Sequence, residues 1–543
     1  MTQATPHPPW FDPAMPGRER CVLSCMLERW ATKRPDREFL RFGDGSSWSF
    51  GRTRSVARSA AAGLRLVGVR PGDRVLGWLP NGPDVVRSWF GTNLLGACFV
   101  PLNLAYRGRL LAHAIEQSSA RIMIVHRNLI ERLRDVLVGG IETLIVVGGP
   151  AGDVQWPGRM FGADILDTAD DGVPDAPAEP WDPEIVIFTS GTTGPSKGVL
   201  CSYLQMYCTG GVQYGYMTPD DRMIIDLPMF HVGGVSAITG GLITGATLAL
   251  HESFSTERFW ERVRGFGATT TSGLIGSMAA FLSTAPPRDD DADNPLRMIV
   301  GALTPLTISI ARRYGFHYCS GFNMTELSAP LFTVVDAPQP GSCGRPRTGC
   351  ECRIVDEHDI ECPPGVAGEL IVRYDLPWMT MLGYLNQPEA TARAWRNGWF
   401  HTGDLLYRDE NGDFHFVDRL KDAIRRRGEN ISSIEVETEL YAFPGVAEAA
   451  AVGVPSEHGE EEVLVAVVAR ADAPAMDPGE LVRFLIPRMP HYMVPRYVRV
   501  LDALPKTPTN KIQKVELRRQ GVTADTWDRV AHGIEVKRER FVP

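Results

Sequence analysis

Residues 189–198 of the chain read Thr-Ser-Gly-Thr-Thr-Gly-Pro-Ser-Lys-Gly. Hydroxyl side chains alternating with glycines beside one lysine suit a loop that grips phosphate groups. Glycine lets backbone N–H groups approach phosphate oxygens, the hydroxyls add donors, and Lys197 adds a cation. The apolar run at 185–188 just before the loop reads as a buried strand. A flexible linker is the plain alternative, and the position between two apolar segments argues against it. The ordinary P-loop does not fit, since from Gly191 it needs Gly-Lys-Ser/Thr at 196–198 and the chain has Ser196, Lys197 and Gly198. A nucleoside triphosphate is the natural occupant, and a P-loop kinase or ATPase loses ground.

Other residue types capable of chemistry are spread along the chain. His231 lies in Pro228-Met-Phe-His-Val-Gly-Gly234, and Thr325 and Glu326 end Gly321-Phe-Asn-Met-Thr-Glu326. Asp404 ends Gly398-Trp-Phe-His-Thr-Gly-Asp404, Arg419 follows at a short distance, and Lys511 lies in Leu504-Pro-Lys-Thr-Pro-Thr-Asn-Lys511. Taken singly, each has an ordinary reading as a backbone-satisfied core histidine or a surface charge.

The elements that must position these residues are legible in the hydrophobic pattern. Residues 50–300 alternate helical patterns with short apolar strands at 74–79, 121–125 and 143–147, which reads as α/β with largely parallel sheet. Residues 81–97 carry apolar side chains at helical spacing between two strands, and 368–373 and 413–418 read as further strands. The polar, proline-rich stretch 285–295 reads as a surface loop. At 543 residues, two or more domains are expected.

Composition excludes several classes. A net charge of -9 argues against nucleic acid as a main partner, and no apolar run approaches the length of a membrane span. The first residues lack the basic and apolar regions of a secretory signal, so a cytoplasmic location is expected. The 10 cysteines are scattered, and the cluster Cys343, Cys350, Cys352 and Cys362 with His358 lacks the Cys-x-x-Cys pairs of structural zinc. Reduced thiols are the expectation.

The loop at 189–198 resembles the phosphate-binding motif of the adenylate-forming (ANL) superfamily, which includes acyl-CoA synthetases, firefly luciferase and peptide-synthetase adenylation domains. Five further segments match in the family's order, covering roughly residues 25–520. The resemblance implies a large N-terminal domain of mixed sheets flanked by helices, residues 1–420, and a small mobile α+β domain, residues 421–543, hinged at Lys421.

It also implies roles. Thr189, Ser190, Gly191, Thr192, Thr193, Gly194 and Lys197 would hold ATP phosphates, and His231 would sit beside the substrate carboxylate. Phe322 would pack on adenine, with Gly321, Asn323 and, on the other face, Gly301, Ala302 and Leu303. Thr325 would meet the α-phosphate, Glu326 would carry Mg²⁺, and Asp404 and Arg419 would bind the ribose. Asn323 stands where the family has glycine, and Ser320 where an amide residue is common, which leaves the adenine contacts there open; asparagine tolerates left-handed backbone. Gly428, Glu429 and Asn430 resemble the loop past which pantetheine travels, and Arg425 to Arg427 read equally as coenzyme A phosphate contacts or a solvated basic face. Lys511 matches the adenylation lysine.

The implied reaction joins a carboxylate to AMP with loss of pyrophosphate, then passes the acyl group to the coenzyme A thiol after the small domain rotates. No aspartate follows the histidine motif to pair with a substrate amine, so a non-amino acid is favoured. Gly233, Gly234, Gly301 and Ala302 leave space, and Gly273, Leu274, Ile275, Gly276 and Met278 add an apolar wall, which suits a bulky apolar acid. The segment at 422–432 looks most like the crotonobetaine/carnitine-CoA ligase-like branch. Alternatives are a ligase for a polycyclic terpenoid acid, a ligase loading a carrier protein, a luciferase-like oxygenase, and a catalytically silent nucleotide-binding regulator. The sequence leaves a homodimer open.

Overall fold

The structure is a computed structural model, and its described residues are 15–134, 136, 139–170, 172, 178–189, 196–273, 276–283, 285–301, 303–337, 339–419, 423–457, 459–470, 476–506 and 512–536. The apolar runs of the sequence become the middle strands of two largely parallel sheets. In the first, Arg159–Phe161, Thr143–Val147, Ile122–His126, Arg74–Trp78, Cys98–Pro101 and Pro183–Thr189 lie side by side in parallel. Lys197–Ser202 and Gly383–Tyr384 then extend that sheet antiparallel. Thr143–Val147 and Ile122–His126 are buried along their whole length, as strands covered on both faces must be.

The second sheet runs Glu38–Phe42, Thr247–Leu250, Arg222–Ile225, Thr270–Thr271, Met298–Val300 and His317–Cys319 in parallel, with Ser47–Ser49 antiparallel at one edge. The expected helix after the first strand forms over Pro83–Leu94. Proline suits its first turn, where an N–H has no helical partner. Trp89 and Phe90 on this helix pack edge to face and are buried in the same core as Phe99, and each such ring contributes about 1.5–3 kcal/mol of transfer free energy.

A third, antiparallel sheet contains Gly321–Phe322, Leu331–Phe332, Ser342–Pro346, Phe414–Arg419, Trp399–Arg408, Gly368–Tyr374 and Cys350–Val355. Beyond it come a hairpin, Ala423–Arg426 with Glu429–Ser432, and a four-stranded sheet of Val446–Pro455, Glu461–Ala469, Tyr497–Val500 and Trp527–Asp528. Helices Ser433–Tyr441 and Pro478–Leu485 pack on it around Val436, Leu440, Leu481 and Leu485. The fold is α/β, with a large N-terminal part of mixed sheets and a small C-terminal α+β part.

Among the described residues no helix is long and apolar enough to cross a membrane. The Cys350 and Cys352 sulfurs lie 3.7 Å apart, and no cluster of three or more metal-type side chains occurs among the described residues. The expected hinge at Lys421 lies outside the described residues, so the boundary at 420/421 stands as a reading of the sequence.

Candidate active site

The sheets and the C-terminal part line an open cavity of about 2600 Å³. Thr189, Lys197, His231, Gly233, Leu303, Gly321, Phe322, Asn323, Thr325, Glu326, Asp404, Gly428 and Glu429 all reach its wall. Ser190, Gly191, Thr192, Thr193, Gly194, Ala302 and Lys511 lie outside the described residues. Sequence segments far apart therefore converge on one space.

The two ends of the glycine-rich loop belong to adjacent antiparallel strands, with Thr189 opposite Lys197. Lys197 Nζ lies 4.6 Å from the ring centroid of Tyr384, a distance at which the ring quadrupole attracts a cation. The Tyr384 hydroxyl donates to Glu326 Oε1 at 2.8 Å. Burial, then the Glu326 charge and this bond, push the Tyr384 hydroxyl well above the usual phenol range. The loop lysine and the Glu326 carboxylate thus share one tyrosine.

Glu326 is fixed through its backbone too, since its carbonyl accepts from Met381 N–H at 2.9 Å. The Thr325 carbonyl accepts from Gln205 Nε2 at 2.8 Å. Phe322 is buried in a short strand pairing with Leu331–Phe332. Asn323 Oδ1 accepts from the Ala329 N–H at 2.8 Å, and Ala329 sits at φ 45°, a left-handed conformation unusual for alanine. The asparagine side chain therefore does what glycine cannot: it fastens a strained turn.

Asp404 is buried in the strand Trp399–Arg408, its N–H held by Thr402 Oγ1 at 3.1 Å, and its backbone faces that of Arg419 in register. The Gly301 N–H donates to the Cys319 carbonyl at 2.9 Å, ending its strand. Gly301, Gly234 and Gly273 are not in the cavity wall, in contrast to the reading of them as binding, space-giving or wall residues. Backbone packing explains two of these glycines: a Cβ on Gly234 would lie 2.4 Å from the Pro228 carbonyl oxygen, and Gly273 has φ +125°. Of the described residues in the acid-pocket reading, Gly233 and Met278 reach the cavity wall.

Across the cavity His231 Nε2 lies 3.1 Å from Glu429 Oε2. Burial pushes the Glu429 carboxyl up, but the His231 charge and hydrogen bond, helped by Arg425 and His491, hold it below the usual carboxylate range. A second carboxylate of the C-terminal part, Glu435, accepts from the N–H and the hydroxyl of Ser196 at 2.9 and 2.6 Å. Its carboxyl is pushed up by burial, against the pull of the Ser196 bonds. Asp226, also in the wall, is pushed up to about 7 by burial, against the charge and hydrogen bond of Arg262 at 3.0 Å.

The AMP-binding enzyme family matches residues 27–385, and the AMP-binding enzyme C-terminal domain matches residues 435–511. The chain belongs to the AMP-binding enzyme family. A feruloyl-CoA synthase from Amycolatopsis sp is 36% identical over 86% of this chain and 92% of its own length. A crotonobetaine/carnitine–CoA ligase from Salmonella arizonae is 29% identical over 83% and 89%. The solved o-succinylbenzoate coenzyme A synthetase from Bacillus subtilis shares 26% identity and superposes with a TM-score of 0.77 over 91% of this chain and 98% of its own. The chain is an AMP-forming acid–CoA ligase that activates a carboxylic acid.

Within this AMP-binding enzyme, sequence reasoning missed Tyr384, Asp226 with Arg262, and Glu435 with Ser196. None of them repeats at helical or strand spacing with its partner: Tyr384 is 58 positions from Glu326, and Glu435 is 239 from Ser196. A signal did exist for Glu435, because Ser432-Ser-Ile-Glu435 has capping-box spacing. That spacing explains its backbone and not its carboxylate, which faces the cavity.

Proposed function

We propose that the chain converts a bulky, apolar, non-amino carboxylic acid into its acyl-adenylate with ATP and then into the coenzyme A thioester. The observation that carries this reading is the convergence of Lys197, Glu326, Asp404 and His231 on one cavity. A carboxylate is a poor electrophile, and the mixed anhydride with AMP makes thiol attack feasible. Lys197 and the loop that begins at Thr189 hold the phosphates, Asp404 accepts from the ribose hydroxyls, and Phe322 with Leu303 bounds the adenine.

Glu326 suits Mg²⁺, because a hard cation accepts one protein carboxylate and completes its shell with phosphate and water oxygens. When bound, the ion offsets charge on the phosphates. Lys511, carried on the segment after a hinge at Lys421, offsets the charge built as carboxylate meets phosphorus. Rotation of that segment then brings Gly428, Glu429 and Asn430 over the adenylate.

Leu227, Phe230, Val232, Gly233 and Met278 share the cavity wall with His231, which supports an apolar acid, and the carboxylate at Asp226 is paired with Arg262 rather than offered to a substrate amine. An aromatic or similarly bulky acid is favoured over a carnitine-like one, in keeping with the greater identity to the feruloyl-CoA synthase. Coenzyme A-dependent AMP release across aliphatic, aromatic and polycyclic acids, with product mass, tests this in wild type and Lys511→Ala. Thioester formation that survives the substitution, or turnover restricted to small polar acids, would overturn it. Adenylate without thioester would move the acceptor to a carrier protein.

A further inference from the structure

Asn81 lies between the strand Arg74–Trp78 of the first sheet and the helix Pro83–Leu94, yet its side chain reaches across to the second sheet. Its Nδ2 donates to the Leu227 carbonyl at 3.0 Å and to the His251 carbonyl at 2.9 Å, and its Oδ1 accepts from the Met229 N–H at 2.9 Å. Leu227 and His251 lie just beyond the ends of the strands Arg222–Ile225 and Thr247–Leu250. Both amide hydrogens and the oxygen are thus engaged. Turning the amide over would set its NH₂ against an N–H and its oxygen against two carbonyls, so the orientation is determined.

The segment held in this way is the histidine motif. Leu227 and Met229 flank Pro228, whose carbonyl accepts from the His231 N–H at 3.1 Å. The His231 carbonyl in turn accepts from the N–H groups of Gly234 and Val235 at 3.1 and 3.2 Å, at the start of the helix Val232–Thr244. The backbone of His231 is therefore fixed on both sides, by the Asn81-held turn before it and the helix after it. Asn81 and His231 both reach the cavity wall. Thr189 and Lys197, by contrast, end adjacent strands of the first sheet.

We propose that Asn81 is a positioning residue that sets the separation of the two reactants. It ties the first sheet, which carries Thr189 and Lys197 on the phosphate side, to the turn of the second sheet that carries His231 on the carboxylate side. The inference rests on the reading of Lys197 and His231 given under the proposed function. Attack on phosphorus needs the carboxylate within contact distance and in line, and a displacement of about 1 Å costs about a hundredfold in rate. Two sheets joined only by packing can shift by that much, whereas three hydrogen bonds from one short side chain hold them in one relation. Asn81 touches no reacting atom and acts through the backbone of residues 227–231.

The test is acid-dependent ATP–pyrophosphate exchange by the full-length chain, with acid and ATP varied in turn. Asn81→Asp keeps an acceptor for the Met229 N–H, loses both donors and turns oxygen toward two carbonyls. It is expected to lower kcat/KM for the acid by about tenfold and to leave the KM for ATP unchanged. In a His231→Ala background the same substitution is expected to cost less than about twofold, because residues that act through one another are not additive. An equal factor in both backgrounds, or a KM for ATP that rises with the loss, would reduce Asn81 to a packing contact and overturn the proposal. Asn81→Ala removes all three bonds, lets cavity water reach the freed groups, and carries the same comparison if the aspartate variant fails to fold. A His231→Ala chain as active as wild type overturns this inference and leaves the ligase reading standing. A wild-type chain that forms no adenylate from any acid sinks the ligase reading itself, and this inference with it.

Discussion

His231 Nε2 and Glu429 Oε2 meet at 3.1 Å although 198 positions separate them, and the pair joins the wall of the large part to the hairpin of the small one. The Glu429 carboxyl is depressed from its ordinary 4.5. A depressed carboxylate stabilises the arrangement that depresses it at pH above 4.5, and that contribution is lost as pH falls through the lowered value. Docking of the C-terminal part, followed by a fluorescent pair placed on the two parts, is therefore expected to hold down to pH 4.5 and weaken below it. Glu429→Gln should weaken docking at neutral pH by about tenfold and remove that acid limb. An unchanged acid limb in the variant would assign it to other groups.

Tyr384 links Lys197 to Glu326, so its hydroxyl and its ring can be tested apart. Tyr384→Phe keeps the ring beneath the ammonium and removes only the bond to Glu326. Acid-dependent ATP–pyrophosphate exchange should fall by about tenfold, the effect of one lost bond to a charged group, and need more Mg²⁺ for half-saturation. Tyr384→Leu removes the ring as well and should raise the KM for ATP further. Equal behaviour of the two variants would show that the ring contributes nothing.

Neighbouring glycines in the histidine motif should respond differently. A Cβ on Gly233 would lie 2.7 Å from Leu227 Cδ1, the far end of a flexible side chain, whereas one on Gly234 would lie 2.4 Å from the Pro228 backbone oxygen. Gly233→Ala is expected to fold and to lose bulky acids more than small ones in kcat/KM. Gly234→Ala must shift backbone beside His231 and should lower stability by about 1–3 kcal/mol, read by thermal unfolding. Equal stability of the two variants would contradict the packing argument.

Asp226 predicts a pH dependence of the opposite sign to Glu429. Its folded value of about 7 lies above its ordinary 3.8, so the folded state binds the extra proton and stability falls as pH rises between those values. Asp226→Asn removes this fall. The variant's stability relative to wild type should improve from pH 5 to pH 8 by on the order of a few kcal/mol, measured by denaturant unfolding at both values. A difference that is flat with pH would show that Arg262 keeps the carboxylate ionised throughout.

Chemistry that depends on local composition was readable in the sequence. Glycines and hydroxyls beside Lys197, the apolar runs at 143–147 and 185–188, and the order of motifs from His231 to Asp404 carried the fold class and the family. Each is a short stretch whose side chains follow one backbone period, so the pattern survives in one dimension. The reading of Gly234 as space and of Gly273 as wall in the substrate pocket did not survive, because sequence alone does not distinguish a glycine facing a cavity from one facing a carbonyl. Tertiary structure decided what meets across the cavity: Tyr384 with Glu326, Glu435 with Ser196, Asp226 with Arg262, His231 with Glu429. These partners lie on separate strands, helices and loops, so their distances depend on how the sheets and the C-terminal part pack.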